Sequence, residues 1–99
     1  MVFSSDDIPH LLAQQIGCFP SVEKVILFGS RARGDFDERS DIDLAVVCPA
    51  ADYPEWSMIR SMARPPYTVR KIDVVRFEKT PPELRESIER EGRVIYEKA

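Results

Sequence analysis

Ninety-nine residues, 43% hydrophobic and 31% charged, suit one globular domain with a single core and leave no room for a second, substrate-binding domain, so residues 1–99 are expected to fold as one unit. A net charge of −3 and a pI of about 5.1 argue against a protein that holds nucleic acid by bulk electrostatics. No apolar stretch approaches the ~20 residues that cross a bilayer, and the N-terminus lacks the basic start and apolar core of a signal peptide, so the expectation is a cytoplasmic chain with no membrane partner.

Ser4-Ser5-Asp6-Asp7 offers cap chemistry, Pro9 suits a first helical turn, and Ile8, Leu11, Leu12 and Ile16 recur at helical spacing, which predicts a helix over 6–16 stopped by Gly17. Glu23 to Phe28 is an almost unbroken apolar run, the pattern of a strand buried on both faces. A short helix is expected from Ser30 to Arg33, ended by Gly34, and a polar loop over 35–40 leads into a second strand, Ile42 to Val47, terminated by Pro49. Trp56, Ile59 and Ala63 predict a helix over 54–63. Tyr67 to Phe77 alternates as a third strand, with Asp73 and Val75 on one side and Val74 and Arg76 on the other. Thr80 and Glu83 have the spacing of a capping box at the start of a helix carrying Leu84 and Ile88 and closed by Gly92, after which Val94 to Tyr96 forms a short last strand. The order αβαβαβαβ predicts an α/β (α+β) fold, a mixed sheet of three to four strands covered by helices.

Two of these junctions carry chemistry. Gly29-Ser30 ends the first strand, and if it opens a helix it offers backbone N–H groups and the positive end of a dipole to a phosphate. Asp41 and Asp43 open the second strand, and the two-residue period aims both carboxylates to the same side. Neighbouring carboxylates repel one another and call for a cation. A phosphate cradle beside a carboxylate pair is apparatus for a metal-bound nucleotide. Arg31, Arg33 and Arg39 lie in the same stretch and could face phosphate oxygens, or could simply neutralise Asp35, Asp37 and Glu38.

Gly29-Ser30, ten intervening residues and then Asp41-x-Asp43 resemble the signature of the polymerase-beta-like nucleotidyltransferase superfamily. The surrounding Phe28-Gly-Ser-Arg-Ala-Arg-Gly and Ser40-Asp-Ile-Asp-Leu resemble its small stand-alone branch, the minimal nucleotidyltransferases. That resemblance implies the nucleotidyltransferase fold, ATP as substrate and Mg²⁺ as cofactor, two ions being expected. It implies Asp41 and Asp43 as metal ligands and catalytic residues, and Asp73 as the third carboxylate, completing the second metal site and activating the acceptor. Gly29 and Ser30, joined by Arg31 and Arg33, are the expected nucleotide-binding residues. It further implies an antitoxin role, transferring AMP to a tyrosine hydroxyl of a HEPN-type toxin partner. Self-association stays open.

Other functions fit parts of the chain. A catalytically silent nucleotide-binding module would neutralise its partner by contact, anchored on Tyr53, Trp56, Ile59 and Met62 if these are exposed. A small-molecule transferase acting on an aminoglycoside-like hydroxyl shares the signature, but such enzymes carry an additional domain. A calcium loop starting at Asp35 fails, because Arg39 and Ser40 stand where an acidic residue and a glycine are needed. Cys18 and Cys48 read as reduced packing residues and His10 as a helix-surface residue.

Overall fold

A computed structural model describes residues 7–34, 41–62 and 72–99, with the side chains of Asp7 and Arg31 outside that description. The elements follow the predicted order: α1 (Asp7–Ile16), β1 (Lys24–Phe28), α2 (Ser30–Arg33), β2 (Ile42–Val47), α3 (Tyr53–Ser61), β3 (Ile72–Arg76), a 3₁₀ turn (Phe77–Lys79), α4 (Pro82–Glu91) and β4 (Arg93–Glu97). The expected caps at 4–6, the loop at 35–40 and the third strand's residues 67–71 fall outside the described residues.

The sheet runs β3-β2-β1-β4. β1 is antiparallel to both β2 and β4, whereas β2 and β3 are parallel. Parallel neighbours cannot be joined by a tight turn, which is why the α3-bearing connection stands between them. The period of two sorts side chains between two cores. Val25, Leu27, Leu44, Val46 and Val74 face α1 and α3, meeting Leu12, Ile16 and Ile59. Ile26 and Ala45 face α4, meeting Ile88, with Phe28, Val47, Val75, Phe77 and Leu84 packed around them. Burying both faces explains the unbroken apolar runs of β1 and β2.

Local chemistry shifts several boundaries. α3 begins one residue earlier than expected because Asp52 caps it, its Oδ1 accepting from Glu55 N at 2.9 Å. Thr80 and Glu83 do not form a capping box. The cap of α4 is Pro81 with no side-chain bond, while Thr80 Oγ1 donates to Phe77 O at 2.7 Å and closes the 3₁₀ turn. Arg85 secures this junction instead, with Nη2 donating to Glu78 O at 3.0 Å and to Thr80 O at 3.3 Å. Phe77 leaves the ladder for the turn, and the last strand is longer than Val94–Tyr96, spanning Arg93–Glu97.

A partly buried arginine holds the β2–α3 connection. Arg76 Nη2 donates to Cys48 O at 3.0 Å and Ala51 O at 2.8 Å, with Pro49 O at 3.4 Å. Glu78 balances its charge, lying 3.6 Å from Nε and accepting Cys48 N at 3.1 Å. One side chain thus donates to three loop carbonyls, of which Cys48 O also accepts from Ala51 N at 3.1 Å.

Candidate active site

β1 ends, and β2 and β3 begin, at the same edge of the sheet. Register there places Phe28 opposite Asp43, and Asp43 beside Asp73 on the parallel neighbour. The three residues form one row across three strands. Asp43 shares the parity of Ala45 and Val47, and Asp73 that of Val75, so both carboxylates sit on the α4 side of the sheet. Both are half-buried; Asp41, just before β2 and of the same parity, is exposed.

The chain turns out of β1 directly beside this row. Gly29 has φ 75° and ψ −155°, a conformation open essentially to glycine alone. It also lies against Asp43: a Cβ there would stand 2.5 Å from Asp43 Oδ2. The glycine is therefore required twice, once by its backbone and once by the carboxylate packed on it. Ala32 N and Arg33 N both donate to Gly29 O, at 3.1 and 3.2 Å, which leaves the Ser30 and Arg31 amides at the mouth of the turn. Gly34 closes α2 in the left-handed region at φ 87° and donates to Ser30 O.

The predicted residues are not all brought together. Arg33 turns toward α4, where Nη1 lies 3.6 Å from Glu91 Oε2, so it braces α2 against α4. The side chain of Arg31, and Arg39 entirely, fall outside the described residues. Among the candidate anchors on α3, Ile59 is fully buried and Trp56 packs partly on the core, while Tyr53 is 79% exposed. Cys48 is buried as expected, but Cys18 is exposed and is not a packing residue.

Among the described residues no three acidic, histidine or cysteine side chains are gathered closely enough to cage a metal. The adjacent pair Asp43 and Asp73 nevertheless suits Mg²⁺, which takes oxygen ligands, keeps several waters and is held by one or two carboxylates together with substrate phosphates. A site of that kind is completed by the nucleotide.

Sequence reasoning missed the side chains around the row. Phe28 flanks it, and Arg60 of α3 and Lys79 of the 3₁₀ turn line a cleft that contains Asp73. No spacing in the chain points to these two cations, because only the parallel crossover brings their elements together.

Comparison with known proteins agrees with this fold. A family model described as polymerase beta, nucleotidyltransferase matches residues 8–99. Two candidate protein adenylyltransferases of Methanocaldococcus jannaschii are 62% and 58% identical over 26 residues, a stretch that is 26% of this chain and spans about a quarter (26%) of those relatives' length. In structure, the chain superposes on one from a toxin–antitoxin crystal structure with AMP-PNP, with a TM-score of 0.70 at 20% identity, covering 97% of this chain and 75% of that one. A chain from the complex of a tri-AMPylated Shewanella oneidensis HEPN toxin with MNT antitoxin gives 0.62 at 18% identity, covering 96% and 71%. A candidate minimal nucleotidyltransferase gives 0.58 at 25% identity, covering 90% and 86%.

Proposed function

Because the chain belongs to the polymerase beta nucleotidyltransferase family, we propose that it transfers AMP from ATP, with Mg²⁺, to a tyrosine hydroxyl of a HEPN-type toxin and serves as that toxin's antitoxin. The observation that carries the proposal is the row of Asp43 and Asp73 beside the Gly29 turn. The likeness to chains of toxin–antitoxin assemblies supports the choice of partner, and the local match to candidate protein adenylyltransferases supports a protein acceptor.

Each residue has a task in this reading. The amides at the Gly29-Ser30 turn receive the triphosphate, since glycine permits close backbone approach. Asp43 and Asp73, with Asp41 beside them at the start of β2, would hold the metal together with the triphosphate oxygens; when bound it would offset phosphate charge and favour the ionised acceptor oxygen. The acceptor oxygen attacks the α-phosphorus, the bond to the oxygen bridging the β-phosphate breaks, and pyrophosphate leaves with that electron pair. Asp73, at the outer end of the row, takes the acceptor's proton. Arg33 acts at a distance by fixing α2 against Glu91.

The test combines the protein, ATP labelled at the α-phosphate, Mg²⁺ and a HEPN-type toxin. Labelled AMP should appear on the toxin, disappear with a chelator, and disappear in Asp43→Asn and Asp73→Asn while circular dichroism stays unchanged. Transfer that survives Asp43→Asn would sink the proposal.

A further inference from the structure

Among the described residues β3 is an edge strand, and a cleft of ≈ 550 Å³ runs along it between α3 and the entry to α4. The volume lies within the ~300–1,000 Å³ range of sites that enclose a ligand. Asp73 lies in its lining, so the cleft opens directly from the carboxylate row. Tyr53 and Trp56 form one wall and Leu84 stands on the other. Arg60 and Lys79, both exposed, supply positive charge in a chain whose net charge is −3. Arg76 also lines the cleft, but its guanidinium is committed to loop carbonyls and Glu78. Among the described residues no carboxylate pairs with Arg60 or Lys79.

We propose that this cleft is the acceptor subsite, and that it takes an extended polypeptide segment carrying a tyrosine flanked by acidic residues. The inference rests on the transferase reading above and deepens it, by stating what the acceptor must look like. An edge strand favours an extended segment, because its outer backbone groups can pair with another chain. The aromatic wall of Tyr53 and Trp56 favours an aromatic acceptor, since rings pack well offset or edge to face. Arg60 and Lys79 favour carboxylates on either side of that ring and disfavour a basic segment. Seated this way, the phenolic oxygen reaches Asp73. The O–H bond gives its proton to the carboxylate, the oxygen bonds to the α-phosphorus of ATP, and pyrophosphate departs.

Trp56 is the chain's single tryptophan and lines the cleft, so its fluorescence reports occupancy without reference to catalysis. The probes are a nine-residue peptide with a central tyrosine between aspartates, the same peptide with lysines in place of the aspartates, and a single-stranded oligonucleotide. The aspartate peptide should change Trp56 emission saturably, and the lysine peptide should bind at least about tenfold more weakly. The double variant Arg60→Glu, Lys79→Glu should invert that preference and raise KM for the aspartate peptide about tenfold, leaving KM for ATP and kcat unchanged. Saturable binding confined to the oligonucleotide, or a peptide preference untouched by charge reversal, overturns the inference. Charge-dependent binding without AMP transfer would keep the subsite and defeat the transferase reading. Transfer indifferent to charge reversal would do the opposite.

Discussion

Replacing Gly29 by alanine perturbs the site at the point where backbone and carboxylate meet. Forcing a Cβ into φ 75°, ψ −155° costs about 1–3 kcal/mol for the backbone alone. The new methyl would also stand 2.5 Å from Asp43 Oδ2, closer than such atoms approach, so the carboxylate must leave its rotamer at about 0.5–1.5 kcal/mol more. Gly34→Ala is the control. Gly34 also has positive φ, at 87°, but nothing lies within 4 Å of its missing Cβ, so only the left-handed cost of about 1–2 kcal/mol applies. At about 4–8 °C per kcal/mol for a domain of this size, Gly29→Ala should lower Tm further than Gly34→Ala. A double-mutant cycle separates the two parts of the cost. In the Asp43→Ala background the carboxylate is gone, and Gly29→Ala should cost only its backbone part, a coupling of about 0.5–1.5 kcal/mol. Urea denaturation of the four proteins measures it, and AMP transfer should fall in Gly29→Ala because Asp43 has been displaced. A coupling of zero, or a Gly29→Ala no more disruptive than Gly34→Ala, refutes the claim that the glycine makes room for the carboxylate.

Other consequences are equally specific. Arg76→Ala removes a donor from three loop carbonyls and leaves Glu78 without its cation, so denaturation should show a loss of about 3 kcal/mol. Gly17→Ala drives a methyl into the Tyr96 ring and should destabilise markedly, whereas Tyr96→Phe loses only the bond from its hydroxyl to Gly17 O and should cost about 1 kcal/mol in the same assay. Burial, and then the nearby Glu78, push the Cys48 thiol up from 9.0 to about 11. Its folded pKa is the higher one, so the linked stability is intact below about pH 9 and is lost as pH rises through about 11. A thiol reagent near pH 8 should therefore label exposed Cys18 quickly and Cys48 only on unfolding.

Local sequence determined much of this protein. Apolar runs and turn residues set β1 and β2 to within a residue, and the two-residue period put Asp41 and Asp43 on one side before any partner strand was known. Gly29 announced a tight exit from β1, and the spacing to Asp41 named the family. These signals are legible because they depend on neighbours within a few positions. Tertiary structure decided the rest. Asp73 became a neighbour of Asp43 only through the parallel register of β2 and β3, a pairing between residues thirty apart in sequence. Arg33 meets Glu91 because α4 packs where its guanidinium can reach. Thr80 closes the 3₁₀ turn by donating to Phe77 O, and Pro81 takes the N-cap position of α4 in its place. The cleft with Arg60 and Lys79 exists because α3 and the 3₁₀ turn meet across an edge strand. Periodicity specifies which face a side chain occupies; only the pairing of distant segments specifies what it faces.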